Sequence, residues 1–297
     1  GCVVGGGVRS EIAVRGRRGW LAALAAAIGP VLAMGPVHAA GAGHEASTSA
    51  EARQDATAAI PLAKIDPAYR DQVREVLADP SIFRRLPTNV VDCQPEMFTY
   101  LAQNPEVLVE IWRHLGLSHV ELKRTGERSF DLRDHAGTTG RLFIVEQTCE
   151  PAAQNRLVMY AEGEYEGKPF ARPVGARCVL LLRSGSVRET NGRPYVAARL
   201  DSFVKLDRPS VEIMAQVAHP FVGKTADRNF ADTLAFVSNL SYTAERRPGS
   251  IVDLADELER VDEPRRARLA TVAEHCAAER AAWELTRSQQ GADLGRR

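Results

Sequence analysis

The residue types able to do chemistry are few and scattered along the chain. Asp134-His135 stand side by side next to a turn, Glu146 precedes Cys149 by three positions, and Arg199 falls in an alternating stretch. A carboxylate beside an imidazole can relay a proton, and a thiol with an imidazole base can attack a carbonyl, provided the groups converge. Neighbouring residues of a strand point to opposite faces, so Asp134 and His135 share a site only through a turn or bulge. As a surface turn pair they need no catalytic role. Cys149 can meet His135 only by tertiary approach. His219-Pro220 reads either as a helix end or as a break that gates a site, and Asp227, Arg228 and Asn229 read either as a helix start or as contacts to a polar head group. Gly-x-Ser-x-Gly, His-Glu-x-x-His, phosphate-loop and dinucleotide patterns do not occur. No residue is assigned a catalytic role.

Cysteine spacing points the same way. Cys93, Cys149, Cys178 and Cys276 lie far apart, with no Cys-x-x-Cys pair and no histidine at ligand spacing, so neither a metal nor a cofactor is expected. One disulfide among Cys93, Cys149 and Cys178 is the expectation for an oxidising compartment, and buried thiols used as packing are the alternative. Lys plus Arg and Asp plus Glu number 38 each, which leaves no global field for nucleic acid or acidic lipid. Hydrophobic residues make up 44% of the 297, enough for a real core.

The elements that position these residues follow a leader. Arg15, Arg17 and Arg18 precede an apolar run over residues 20–34 and the small-residue site Val37-His38-Ala39. Such a run is too short to cross about 30 Å of hydrocarbon and reads as a secretory signal peptide within residues 1–39, cleaved near Ala39. Arg17-Arg18 also fits a twin-arginine route, and the natural start is placed near Val8. The mature chain is thus expected outside the cytoplasm, periplasmic or extracellular, without stable membrane insertion.

Residues 40–64, rich in Ala, Gly, Ser, Thr and Glu, read as a flexible linker. Asp66-Pro67 opens a short helix with Val73, Val76 and Leu77 on one face. A β-rich run at 88–92 is followed by helices beginning at Pro95 and Pro105, the second carrying Val107, Leu108, Ile111 and Trp112. From 118 to 204 the period becomes alternating. Candidate strands cover 120–123, 130–133, 141–147, 157–164, 179–183 and 195–204, joined by connections that permit only antiparallel neighbours. Helical spacing returns over 207–242 with a kink near Pro220. Residues 247–297 read as a charged helical or partly disordered tail. The fold class is therefore α+β, one domain over 65–246. A curved antiparallel sheet of six or seven strands has two short helices after its first strand and a long, kinked C-terminal helix across it.

This order resembles the START-like, helix-grip superfamily of polyketide cyclases and lipid carriers. The closest local likeness is QPEMFTYLAQNPEVLVEIW, residues 94–112, which is similar to that superfamily's two-helix insert. The resemblance covers residues 86–242 and implies a cavity between sheet and closing helix. On that implication Trp112, Met159, Leu181, Leu200, Met214 and Phe230 line the cavity, with Leu181 on the same face as Met159. The implied function is binding or carriage of a hydrophobic small molecule or lipid. An enzyme on the same fold using His135, Glu146 or Arg199 is one alternative. The other is a cell-envelope interaction protein with a filled core, whose tail meets a protein partner.

Overall fold

Alternation between residues 121 and 206 builds most of a single sheet in the computed structural model, which describes residues 46–149, 154–167, 172–207 and 220–294. The leader, Met214 and His219 lie outside the described residues. The helices are α1 (Ala50–Ala58), α2 (Arg70–Ala78), α3 (Pro95–Gln103), α4 (Pro105–His114), α5 (Pro220–Arg246), α6 (Pro248–Glu257) and α7 (Glu263–Leu294). The strands are β1 (Ile82–Arg85), β2 (Asn89–Val91), β3 (Glu121–Arg124), β4 (Ser129–Arg133), β5 (Thr138–Thr148), β6 (Asn155–Tyr165), β7 (Val174–Arg188) and β8 (Pro194–Leu206).

Every pairing is antiparallel, in the order β1-β8-β7-β6-β5-β4-β3, and β2 lies beyond β1 along the same edge of β8. The described sheet thus has eight strands, not six or seven, and α3 and α4 follow the second strand, not the first. Ile82–Arg85 escapes a pattern reading because four residues are too few to display alternation. Pro95 and Pro105 each occupy the first turn of a helix, where a missing N–H costs nothing. Asn104 closes α3 by donating from Nδ2 to the Tyr100 carbonyl at 2.9 Å.

Helices cover both faces of the sheet. Phe130, Leu142, Leu157, Leu180, Leu200 and Val204 pack on one face with Trp112 of α4 and with Phe230, Leu234 and Val237 of α5. Phe143, Val158, Tyr160, Val179, Leu181 and Phe203 pack on the other with α1, α2 and the chain between them. Over residues 46–64, that second layer corrects the flexible linker expected over 40–64. Ser49 caps α1 by accepting the Ala52 N–H at 3.1 Å, and Ala52, Ala56, Ile60 and Ile65 are buried. Small residues of low hydropathy look like linker until an apolar sheet face is there to receive them.

The described part of the tail is helical, one of its two expected readings, but it packs on the core, a placement missed for a related reason. Ile251, Ala255, Leu258, Val261, Leu269, Val272, Ala273 and Cys276 join the main core, and the Tyr100 hydroxyl donates to the Arg265 carbonyl at 2.7 Å. A stripe at i, i+3, i+4 and i+7 is narrow enough to be hidden among Arg and Glu. The kink expected near Pro220 falls at the edge of the described residues. Helix α5 begins at Pro220 and runs on to Arg246, and residues 208–219 lie outside the described residues.

Candidate functional site

The residues expected to line an internal cavity form packing. Trp112, Leu200 and Phe230 are buried in one cluster, Met159 packs partly buried against it, and the Trp112 ring meets Phe236 edge-on with centroids 6.0 Å apart. Leu181 faces the opposite side of the sheet, against α1 and α2. Met159 pairs with Leu180, and Leu157 with Leu182, so the expected phase of β7 is off by one residue. Residues 178–181, Cys-Val-Leu-Leu, are buried on both faces, and the unbroken apolar run they begin carries no phase. Between α3 and the ends of β6 and β7, bordered by Phe98, Ala102, Leu157 and Leu182, lies a void of about 10 Å³. That is room for no more than a water molecule.

The candidate chemical groups do not converge. Asp134 Oδ1 accepts the N–H groups of Ala136 and Thr138 at 2.9 and 2.8 Å, which fixes the turn between β4 and β5. His135 stacks edge-on with His119 at 5.4 Å. This turn precedes β5 and Cys149 follows it, so the whole strand, roughly 30 Å at 3.3 Å per residue, separates His135 from the thiol. Burial also pushes the Cys149 thiol up, the reverse of an activated nucleophile. Arg199 lies beside Asp55 and Asp201 at 3.5 and 3.9 Å, in a cluster with Arg85 and Arg183 that ties α1 to the sheet.

A bulge between Ile144 and Glu146 turns both Val145 and Glu146 toward the α1–α2 side. There Glu146 is gripped by Arg156 at 2.8 and 2.9 Å and by the Thr148 hydroxyl at 2.9 Å. Burial raises its pKa, but the Arg156 and Thr148 hydrogen bonds outweigh burial and hold it below the ordinary glutamate value. A depressed folded-state pKa stabilises above the unfolded value of about 4.3, and that contribution is lost as pH falls through the folded value. Glu146→Gln is expected to lower the melting temperature at neutral pH and to flatten its decline on acidification. Thermal melts of both proteins over a pH series below pH 5 provide the check.

A different feature has the dimensions of a binding site. On the α2 side of the sheet, past the end of α2, Asp131, Arg133, Thr139, Arg141, Glu162, Glu164 and Asp207 surround an open trough of about 460 Å³ with Gly140, Gly163 and Gly175 among its lining. Gly140 and Gly163 are register partners, and a Cβ on Gly163 would sit 2.8 Å from the Gly140 Cα. Only glycine permits that close approach. Four carboxylates and two guanidiniums line the trough, which makes it net negative. Arg141 pairs with Glu162, and Asp207 accepts from Arg177 at 3.2 Å, while Asp131, Arg133 and Glu164 form no ion pair among the described residues. The signal in the sequence is a period-two row of polar residues, Asp131 and Arg133 against buried Phe130 and Leu132. It was indistinguishable from an ordinary solvated strand face.

No family model and no curated protein matches the sequence. Solved structures with similarity include a conserved protein from Geobacillus kaustophilus, 12% identical, covering 51% of this chain and 90% of that one with a TM-score of 0.35. Another is the hypothetical protein jhp0584 from Helicobacter pylori, 12% identical, covering 52% of this chain and 87% of that one with a TM-score of 0.33. The class of the described residues is α+β, an antiparallel sheet of eight strands with helices on both faces and a long C-terminal helix. Among the described residues no helix is long and apolar enough to cross a membrane.

Proposed function

We propose that this chain is an exported, non-catalytic interaction protein of START-like build, whose recognition surface is the charged trough over β4 to β7. Its partner is a polypeptide segment of mixed, predominantly basic charge. The observation that carries this reading is the contrast between an open trough of about 460 Å³ and an interior filled by Trp112, Leu200, Phe230 and their neighbours. A net-negative trough in which Asp131 and Glu164 form no ion pair among the described residues favours a cationic partner, and Arg133 sets register against that partner's acids. Export rests on the leader pattern. The START-like reading is supported by the pairing of first and last strands, the two helices ahead of β3 and the helix α5 laid on the sheet.

A second reading, carriage of an apolar molecule, is favoured by the same strand order and requires α5 to lift Phe230 and Leu234 away from the sheet. Reversing Asp131 and Glu164 together to lysine separates the two. Binding of arginine- and lysine-containing peptides to the full chain is expected to weaken about tenfold or more and to lose its salt dependence. Unchanged peptide affinity, or uptake of a fatty acid by both proteins, would refute the trough as the site.

A further inference from the structure

We propose that Cys93 and Cys276 form a disulfide bond that fastens α7 to the start of α3. Cys93 lies two residues before α3, and Cys276 sits on α7 in the buried stripe of Leu269, Val272 and Ala273. Two polar bridges join the segments that carry the two cysteines. On one side Glu245 accepts from Gln94 Nε2 at 3.0 Å and from Arg280 Nη1, one turn beyond Cys276, at 3.1 Å. On the other side Glu96 accepts from Arg268 at 2.8 Å and lies 3.3 Å from His275 Nδ1. Residues 93–96 and 275–280 are thereby held side by side. Both cysteines are at most 2% exposed. Burial first, and then charge on Cys93, push the Cys276 thiol upward.

The pairing differs from one among Cys93, Cys149 and Cys178. Cys178 is buried in the sheet between Ala161 and Val204, and Cys149 lies past the end of β5. In the reaction each thiol gives up its hydrogen and one S–S bond forms. A glutathione disulfide takes the two electrons and two protons through a mixed-disulfide intermediate and leaves as two glutathione thiols. Burial pushes the Cys93 thiol up to about 12, so exchange takes place while the chain folds, before α7 covers it.

The test is oxidative refolding of the full chain in a glutathione redox buffer, blocking of remaining thiols with a maleimide, digestion without reduction, and mapping of linked peptides by mass. The expected result is a dominant link joining the peptides that contain Cys93 and Cys276. Reduction should then lower the melting temperature by several degrees, a shift that Cys276→Ala abolishes. Recovery of both cysteines as blocked thiols, or of Cys93 linked to Cys149 or Cys178, would overturn the proposal. The mapping uses the unaltered chain, so it stands even where the variant folds poorly, and it is independent of what the trough binds.

Discussion

Replacing Asp201 by alanine is expected to cost about 3–5 kcal/mol of stability, a fall of roughly 6–20 °C in melting temperature for a chain of this size. Asp201 is fully buried on β8. It accepts from Arg85 Nε of β1 at 2.6 Å and from Arg183 Nη2 of β7 at 3.0 Å, with Arg199 Nε at 3.9 Å. Without it three guanidiniums are left around Asp55, a half-exposed carboxylate of α1. The loss exceeds the value of the pair itself, because charges that stay behind partly buried have lost their counterion. Arg199→Met should be nearly neutral by the same logic. Burial first, then repulsion from Arg183 and Arg85, lowers the pKa of Arg199, so its charge is the unfavourable one of the cluster. Denaturant titration of the two variants gives the comparison, and equal losses would refute this ranking.

Trp112→Ala is the second large effect, about 3–5 kcal/mol from lost burial and the cavity left behind. Trp112 is completely buried beneath α5, and its Nε1 has no hydrogen-bond partner among the described residues. An unpaired indole N–H is a burden on the fold, so Trp112→Phe removes that burden along with part of the ring and should cost well under half as much. Were Trp112 the wall of a roomy cavity, the alanine variant would lose little stability, because its ring would pack against few atoms. Urea unfolding of both variants distinguishes a filled interior from a hollow one.

How far the fold was readable from the chain depended on how each element is buried. Along β4 and the outer parts of β5 and β8 one-sided burial leaves alternation in the sequence, and turn formers such as Asn191-Gly192 mark the hairpins. The glycine indeed adopts φ +81° there. Where β7 is buried on both faces, residues 178–181 carry no alternation, and the placement of Leu181 with Met159 was lost with it. Helix α1 and the packing of α7 were hidden for another reason. Ala52, Ala56, Ala273 and Cys276 contribute little hydropathy each, and their role exists only once a sheet face and α5 stand opposite. The trough is the hardest case, since Asp131, Arg133 and Glu164 lie apart in sequence and are gathered only by the strand register.

Native mass spectrometry of the full chain, offered in parallel a long-chain fatty acid, a phospholipid and a pool of short basic peptides, tests most directly whether binding lies outside a filled core. An external charged site predicts peptide adducts that vanish in the Asp131→Lys/Glu164→Lys variant, with no apolar adduct on either protein. Near-stoichiometric uptake of the fatty acid or phospholipid, unchanged by the trough substitutions, would contradict it and place the ligand between α5 and the sheet.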